Sequence, residues 1–498
     1  MSIRYGTSGD DILATTGSGQ TLFGLGGADR LSSRHDGSVL DGGAGDDTLS
    51  TLLGRADIGG LPVQHVAQYG GDGNDSLTIA ADSPVEAIAV GGGDNDRIHV
   101  AIGLSIGLDP QSLVDISGGD GNDDIWVAAD TDQWQEASRA AGPAAASSGS
   151  TAALHATPLQ ALNIVHAGTG NDHVVARAGT SFAGFDNTAK NAIFGEAGND
   201  RIESDASAYG NGGNLATNWV DGGAGADTIT IGSGASSNNS DSTLRDTGIG
   251  GSGNDRVTLQ QTASGDGRST LTGTLLGGDG NDTLRADISA YALDRVKATE
   301  TLDGGAGNDR LFLKLDAQLD SPTGVMPDPN VSALGLLTGG TGNDSLTATT
   351  VNAGSSATLK LDGGAGNDSL TVYGGFHNRL SGGTGDDRLA GGGGDDRLLG
   401  GGGADTFIFD LSRPSGKDTV ADFAGSLDRL AFHGVTLAHG QSVAAALDAL
   451  AGLTDHGAGG TVVAHFHSGA EIDFAGIGTG HIDSFADLVA HSDQLLLV

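Results

Sequence analysis

Short apolar pulses recur along this chain, each directly after a glycine-rich run. In "GGAGNDRLFL", residues 304–313, three glycines precede Asn308-Asp309, and Leu311 and Leu313 then alternate with Arg310 and Phe312. Alternation of this kind puts the apolar side chains on one face of a short strand. The glycines before it mark a tight turn. Close variants recur through most of the sequence, so the predicted elements are short strands joined by glycine turns, and the predicted architecture is all-β stacked coils.

With Gly304 as position 1, the repeat reads G-G-x-G-[ND]-D-x-U-x, where U is a large apolar residue such as Leu311, Leu284 or Val257. Position 1 includes Gly195, Gly222, Gly250, Gly277, Gly304, Gly363, Gly382, Gly391 and Gly400. Position 6 is Asp in every copy: Asp11, Asp29, Asp47, Asp75, Asp96, Asp123, Asp172, Asp200, Asp227, Asp255, Asp282, Asp309, Asp344, Asp368, Asp387, Asp396 and Asp405. Near the two ends the copies lie 18 residues apart, with intermediate phases at 15, 33 and 391 that keep Leu22, Leu40 and Leu398 at position 8. In the middle the spacing widens to 27 or 28 residues, as from 195 through 222, 250 and 277 to 304. This predicts one edge of turns held in register, with coils that lengthen on the opposite edge only.

Four tracts follow: nine-residue-period turns over 1–60, expanded coils over 61–381, nine-residue-period turns again over 382–406, and a C-terminal α+β segment over 407–498. Loops are expected at 129–163, with a short helix at 132–141, and at 320–332. A helix is predicted at 442–453 and a hairpin at 460–477, turning at Ser468-Gly469.

Charge sharpens the picture. The chain has 498 residues, 88 of them Gly, and 63 acidic side chains against 24 basic, a net charge of −39. Nucleic acid is excluded as a partner, because phosphate recognition needs the opposite sign. Only six of the acids are Glu. A solubilising acidic tract would use Glu freely, whereas Asp holds its carboxylate on the shortest stem, within reach of a ligand bound by its own turn. Main-chain carbonyls plus carboxylates, without His or Cys, form the donor set of a hard cation needing six to eight oxygens, which is Ca²⁺ rather than Zn²⁺. A bare row of acids stacked at about 4.8 Å per rung would repel itself. Roughly 10 to 15 Ca²⁺ ions would offset most of the net charge. The alternative, metal-free turns capped by Asp, leaves that repulsion unanswered.

At this point the motif resembles the nonapeptide of the RTX, or haemolysin-type calcium-binding, repeats, in register from residue 6 to 406. That resemblance implies a parallel β-solenoid (β-roll or β-helix), with Ca²⁺ between successive turns, held by main-chain carbonyls and the position-6 Asp of both. "TFIFDLSRPSGKDTVADFAGSLDRLAF", after Asp405, resembles the segment that closes such arrays in serralysin-like secreted proteins. The tail "SFADLVAHSDQLLLV" resembles an uncleaved C-terminal type I secretion signal, implying export to the cell surface or the medium by that machinery; a capping subdomain with a buried terminal strand is the other reading. The chain has no Cys, hence no disulfide framework, and its N-terminus has no ordinary signal peptide. No apolar run approaches the roughly 18 to 20 residues of a spanning helix.

Catalytic signatures are scarce. There is no H-E-x-x-H. "GLSIG" at 103–107 formally matches a nucleophile elbow at Ser105, but Asp109-Pro110 opens no convincing helix. His465 and His467 lack a third ligand. The first function class is therefore a secreted structural or interaction protein, of surface-layer, biofilm-matrix or adhesive kind, that folds on extracellular Ca²⁺; repeats starting near Met1 leave no room for an enzyme domain. A homo-oligomer or higher assembly is expected through the first turn, with Asp11 finding a second loop only across such a contact, and cell-surface glycan is a further candidate partner. The second class is a β-helix polysaccharide lyase or epimerase stabilised by Ca²⁺. An ice-binding role would need a regular Thr array, which positions 7 and 9 do not provide. Arg at position 7 (Arg97, Arg201, Arg256, Arg310) is expected to neutralise nearby Asp.

Overall fold

The computed structural model describes residues 2–54, 63–83, 85–103, 111–130, 159–182, 186–237, 240–292, 294–319, 331–351, 357–375, 377–412 and 416–498. Ser105, the expected helix at 132–141 and most of the two expected loops lie outside the described residues. The chain divides into two units, Met1–Leu271 and Thr272–Val498.

In the first unit the chain alternates between two parallel sheets. A strand such as Ser38–Ala44 runs into the glycine turn, and a strand such as Thr48–Leu53 runs out of it. Each pairs with its counterpart one coil later, in parallel. This register stacks position 8 into one column, Leu49, Leu77, Ile98, Ile125, Val174, Ile202, Ile229 and Val257. All of these side chains are buried. Neither sheet can stand alone, because each coil buries its apolar residue only against the coil on either side. The unit is thus a parallel β-solenoid, as the apolar periodicity predicts.

The widened coils do not simply throw out loops on the far edge. Strands leaving the turn grow from three residues at Ile12–Ala14 to ten at Arg201–Gly210, and strands entering it from seven at Gln20–Gly26 to eleven at Asn187–Ala197. The extra residues extend both sheets while the glycine edge keeps its register. A wider coil must fill more interior, and part of that interior is polar. Asn163, Asn191, Asn218 and Asp246 lie in register inside the unit. Each amide donates to the next side chain's oxygen, at 2.9, 3.0 and 2.8 Å. Asp246 closes this ladder: it also accepts from Gln261 Nε2 at 2.7 Å and from Ser233 Oγ, so its carboxylate is fully hydrogen-bonded as burial requires.

The second unit repeats the scheme. Its position-8 column runs through Leu284, Leu311, Leu346, Leu370, Leu389 and Phe407 and continues to Leu430 and Leu495. The terminal apolar run is therefore a strand, Leu495–Leu497, laid parallel on Arg429–His433. The predicted hairpin is present as Val462–Phe466 and Glu471–Phe474, antiparallel to each other. The predicted helix is shorter than 442–453: it spans Val443–Asp448, with Ser442 as its cap, and Ala451–Asp455 instead forms a strand antiparallel to Val462–Phe466. Gly452 costs a helix about 1 kcal/mol, and pairing with the hairpin wins. His465 contacts Glu471 at 2.9 Å, an ion pair on the hairpin surface rather than half of a metal site.

The packing argument predicts that Leu311→Ala, at a fully buried column position, lowers stability by about 2–5 kcal/mol, read from chemical denaturation in Ca²⁺. Arg310→Ala, one residue earlier and exposed, should change it by less than about 0.5 kcal/mol.

Candidate metal centre

The turn preceding each strand places its oxygens by geometry that only its glycines allow. In the repeat at 304–309, Gly305 and Gly307 have φ of +98° and +133°. Position 1 is different. Gly304 is not left-handed, so a positive φ accounts for the glycines at positions 2 and 4 only. Position 1 is glycine for want of space. A methyl group on Gly222 would fall 2.5 Å from Asp227 Oδ2 and 2.7 Å from the carbonyl oxygen of Gly250 in the next turn. The same crowding meets Gly195, Gly277, Gly304, Gly363 and Gly382, and Gly391 and Gly400 face the position-6 carboxylate of their own turn. At positions 2 and 4 a methyl would strike a carbonyl of the preceding turn, as Gly305 does with Gly278 and Gly307 with Gly280. Each gap between such turns is thus lined by main-chain oxygens from both turns and by one carboxylate oxygen.

The aspartates form ladders. In the first unit the backbone N–H of each donates to Oδ1 of the next, from Asp11 through Asp29, Asp47, Asp75, Asp96, Asp123, Asp172, Asp200 and Asp227 to Asp255, at 2.7 to 2.8 Å. In the second unit the ladder runs from Asp282 through Asp309, Asp344, Asp368 and Asp387 to Asp405. It then goes one step further than the glycine motif, because Asp405 N donates to Asp428 Oδ1 at 3.0 Å. Asp396 belongs to a separate column, between Asn378, which donates to it, and Asp418, which accepts from it at 3.1 Å. Asp418 and Asp428 were missed because the glycine run before them is incomplete: Gly416 keeps only position 4 before Asp418, and Gly425 falls off the motif before Asp428. Their signal is the tripeptide D-x-U, Asp418-Thr419-Val420 and Asp428-Arg429-Leu430.

The other carboxylate oxygen is the telling one. Oδ2 of Asp29, Asp47, Asp75, Asp96, Asp123, Asp172, Asp200 and Asp227, and in the second unit of Asp309, Asp344, Asp368, Asp387 and Asp396, is buried with no hydrogen-bond partner. Leaving so many charged acceptors unsatisfied is prohibitive. Burial pushes Asp75, Asp96, Asp200 and Asp387 up to about 7, and Asp47 and Asp309 to about 6. Among the described residues no three His, Cys, Asp or Glu side chains gather around one point. An ion in such a gap must therefore draw most of its ligands from carbonyls, which suits Ca²⁺ and not the nitrogen and sulfur preferences of Zn²⁺. The residues present fit the metal.

The first turn departs from this pattern. Asp11 Oδ2 accepts from Thr7 N at 2.5 Å and from Thr7 Oγ1 at 2.9 Å. Its carboxylate is satisfied within its own loop, so it does not need a second loop from another chain. Position 5 explains the [ND] of the motif: Asn95 N donates to Asn74 Oδ1, Asn122 N to Asn95 Oδ1 and Asn171 N to Asn122 Oδ1. This amide ladder runs in the opposite sense to the aspartate ladder beside it. At position 7, Arg97 Nε reaches Asp124 at 3.4 Å and Arg201 pairs with Glu203; both partners are surface acids outside the aspartate ladder.

Two predictions follow from this geometry. Gly222→Ala should lower the number of bound Ca²⁺ by one or two, read by calorimetry or metal analysis, while distant turns keep theirs. The second concerns pH. The raised carboxyls make the metal-free fold hold more protons than the unfolded chain between about pH 4 and 7, so its stability falls as pH rises through that window. In chelator, β-structure by circular dichroism should be greater at pH 5 than at pH 8. Calcium must displace those protons, so the Ca²⁺ midpoint should move to higher concentration as pH falls from 8 to 6.

Comparison with known proteins agrees with the geometry. The RTX calcium-binding nonapeptide repeat family matches residues 5–34, 38–55, 187–208, 213–236, 265–289, 298–314 and 372–407. Among solved structures, the extracellular lipase LipA from Serratia marcescens is similar at 20% identity over 49% of this chain, with a TM-score of 0.16. The likeness spans 40% of the lipase chain and is too slight to bear on fold or activity. No curated protein matches the chain. The chain carries RTX calcium-binding nonapeptide repeats, and repeats of this kind bind Ca²⁺.

Proposed function

We propose that this is a secreted structural or interaction protein, of surface-layer, biofilm-matrix or adhesive kind, whose calcium-loaded solenoid is itself the working surface. The observation that carries this reading is the row of buried, unpartnered Oδ2 atoms. A fold built on them is viable where Ca²⁺ is plentiful and unfavourable where it is scarce, which suits a chain that leaves the cytosol unfolded and folds outside. We assign the ligands to the position-6 aspartates after Asp11, to Asp418, and to the carbonyls of positions 1, 2 and 4. Export would use the C-terminal segment before Leu495–Leu497 docks as a strand. Among the described residues no helix is long and apolar enough to cross a membrane.

Self-assembly is the finer part of the proposal. Around the first turn Ile3, Tyr5 and Ile12 are 51%, 63% and 82% exposed. The strand Ile12–Ala14 pairs on one side with Arg30–Ser33, and among the described residues no strand occupies its other side. A second copy of this chain would cover both the apolar patch and the open edge.

Circular dichroism with chelator tests the folding claim: a β-rich spectrum unchanged by excess EDTA at neutral pH would sink it, and a large reversible gain on adding millimolar Ca²⁺ is expected. For assembly, sedimentation at millimolar Ca²⁺ should show species larger than the monomer, reduced by Ile12→Asp. A monomer under all calcium concentrations would leave the scaffold acting singly.

A further inference from the structure

We propose that the outer face of the first unit, over residues 74–126, binds a neutral glycan. This goes beyond the calcium-scaffold reading but rests on it, since the face exists only when the coils are stacked.

Two features meet there. The first is an open cleft of about 340 Å³, lined by Asn74, Asn95, Asn122, Arg97 and Asp124, with the aspartate ladder at its floor. Its polar groups are pre-set. Asn95 Nδ2 donates to Asn74 Oδ1 at 3.3 Å and Asn122 Nδ2 to Asn95 Oδ1 at 3.1 Å, which leaves each amide a second N–H. Asp124 is oriented from two sides, by Arg97 Nε at 3.4 Å and by His173 Nδ1 at 3.1 Å. Arg97 thereby spends one of its five N–H donors.

The second feature is a ring platform. His99 and Trp126 stack with centroids 4.2 Å apart and planes 29° from parallel. They pair in register on adjacent strands, Arg97–Gly103 and Asp124–Asp130. Each lies two residues beyond a cleft residue, Arg97 or Asp124, and side chains two apart share a strand face at about 7 Å. Ile98, Val100, Ile125 and Val127 alternate with them and are buried, so both rings face outward.

A ring platform beside a row of fixed amides, a carboxylate and a guanidinium is the donor set for a pyranose: its C–H face stacks on the rings, and its hydroxyls both donate and accept. Amide ladder and ring pair each repeat at the strand spacing of about 4.8 Å, so the site favours an extended chain of sugars over a single one. Charge selects the class. Asp124 opposes a uronate or sulfated polymer, and the one guanidinium lining the cleft, Arg97, is already paired with it.

The test uses the full chain in millimolar CaCl₂, titrated with cellohexaose, maltohexaose and chitohexaose, and with hexagalacturonate as the acidic counterpart. Calorimetry and tryptophan fluorescence are the readouts. At least one neutral hexasaccharide should bind, with affinity weakened at least tenfold by Trp126→Ala and severalfold by Arg97→Ala. Trp219→Ala, at an exposed ring elsewhere in the unit, should leave it unchanged. Every variant is checked for the wild-type Ca²⁺-induced β transition, and Arg97→Ala, which keeps both rings, stands in if Trp126→Ala loses it. Loss of that transition in the wild type would strike the scaffold reading. With the transition intact, three results would each overturn the present proposal alone: no binding of any neutral hexasaccharide, binding of the acidic one only, or wild-type affinity in both cleft variants.

Discussion

A carboxylate at position 6 that is half satisfied governs the molecule. One oxygen accepts the backbone N–H of the preceding aspartate and so fixes the height and register of neighbouring coils. The other is buried against the glycine of its own turn and finds no donor. The first interaction brings the acids together, and the second makes their nearness costly unless a cation fills the gap. Register and metal dependence are therefore two consequences of one side chain, and neither could be changed without the other. Asp also suits the role by its length. Glu would carry its carboxylate one methylene further, into the space the position-1 carbonyls occupy.

From this edge the rest of the fold follows. Because the aspartate ladder holds one end of every coil at the same height, the far end is free to vary, and coils of different length can stack without disturbing the turn. Short coils leave room for only small polar groups inside, such as Thr15 and Ser33, whose hydroxyls meet at 2.9 Å. Wide coils open a second interior column, and it is filled by amides that hydrogen-bond along the stack, Asn163 to Asn191 to Asn218 to Asp246. A buried amide ladder demands its own register, which reinforces that of the aspartates, so the polar interior adds specificity at a place where packing alone would tolerate slippage.

The glycine edge and the apolar column were legible in the sequence because each is a local rule repeated many times, and repetition exposes a rule even when a single copy is ambiguous. What escaped was whatever lacked the repeated context. Asp418 and Asp428 extend the two aspartate columns with only a remnant of the glycine run before them, Gly416 and Gly425, so their turns lack the full motif. Asp396 has the full motif yet stands in a different column, because its coil phase places it with Asn378 and Asp418, and phase is a property of the stacked coils rather than of nine residues. The amides of position 5 were visible as a preference without a reason. Their role is to accept from the next turn, and that requires knowing which turn is next. The interior ladder left no local trace, since Asn191 and Asn218 read as ordinary polar residues until the register sets them side by side.

The two ladders at the turn also differ in what they can tolerate. The position-5 ladder uses exposed Asn or Asp side chains, and where Ala stands at 226 or 404 the backbone N–H still donates to the neighbouring side chain, so a missing side chain costs one link and no buried charge. The position-6 ladder is charged and buried, and a missing carboxylate would remove a link and a metal ligand together while leaving the opposing carbonyls without a positive partner. This asymmetry accounts for a motif that varies freely at position 5 and holds Asp throughout at position 6. Asp11 and Asp428 are the exceptions: Thr7 N and Oγ1 hold the second oxygen of Asp11, and Ala424 N holds that of Asp428 at 2.7 Å, so hydrogen bonds within the loop supply at both what a cation supplies elsewhere.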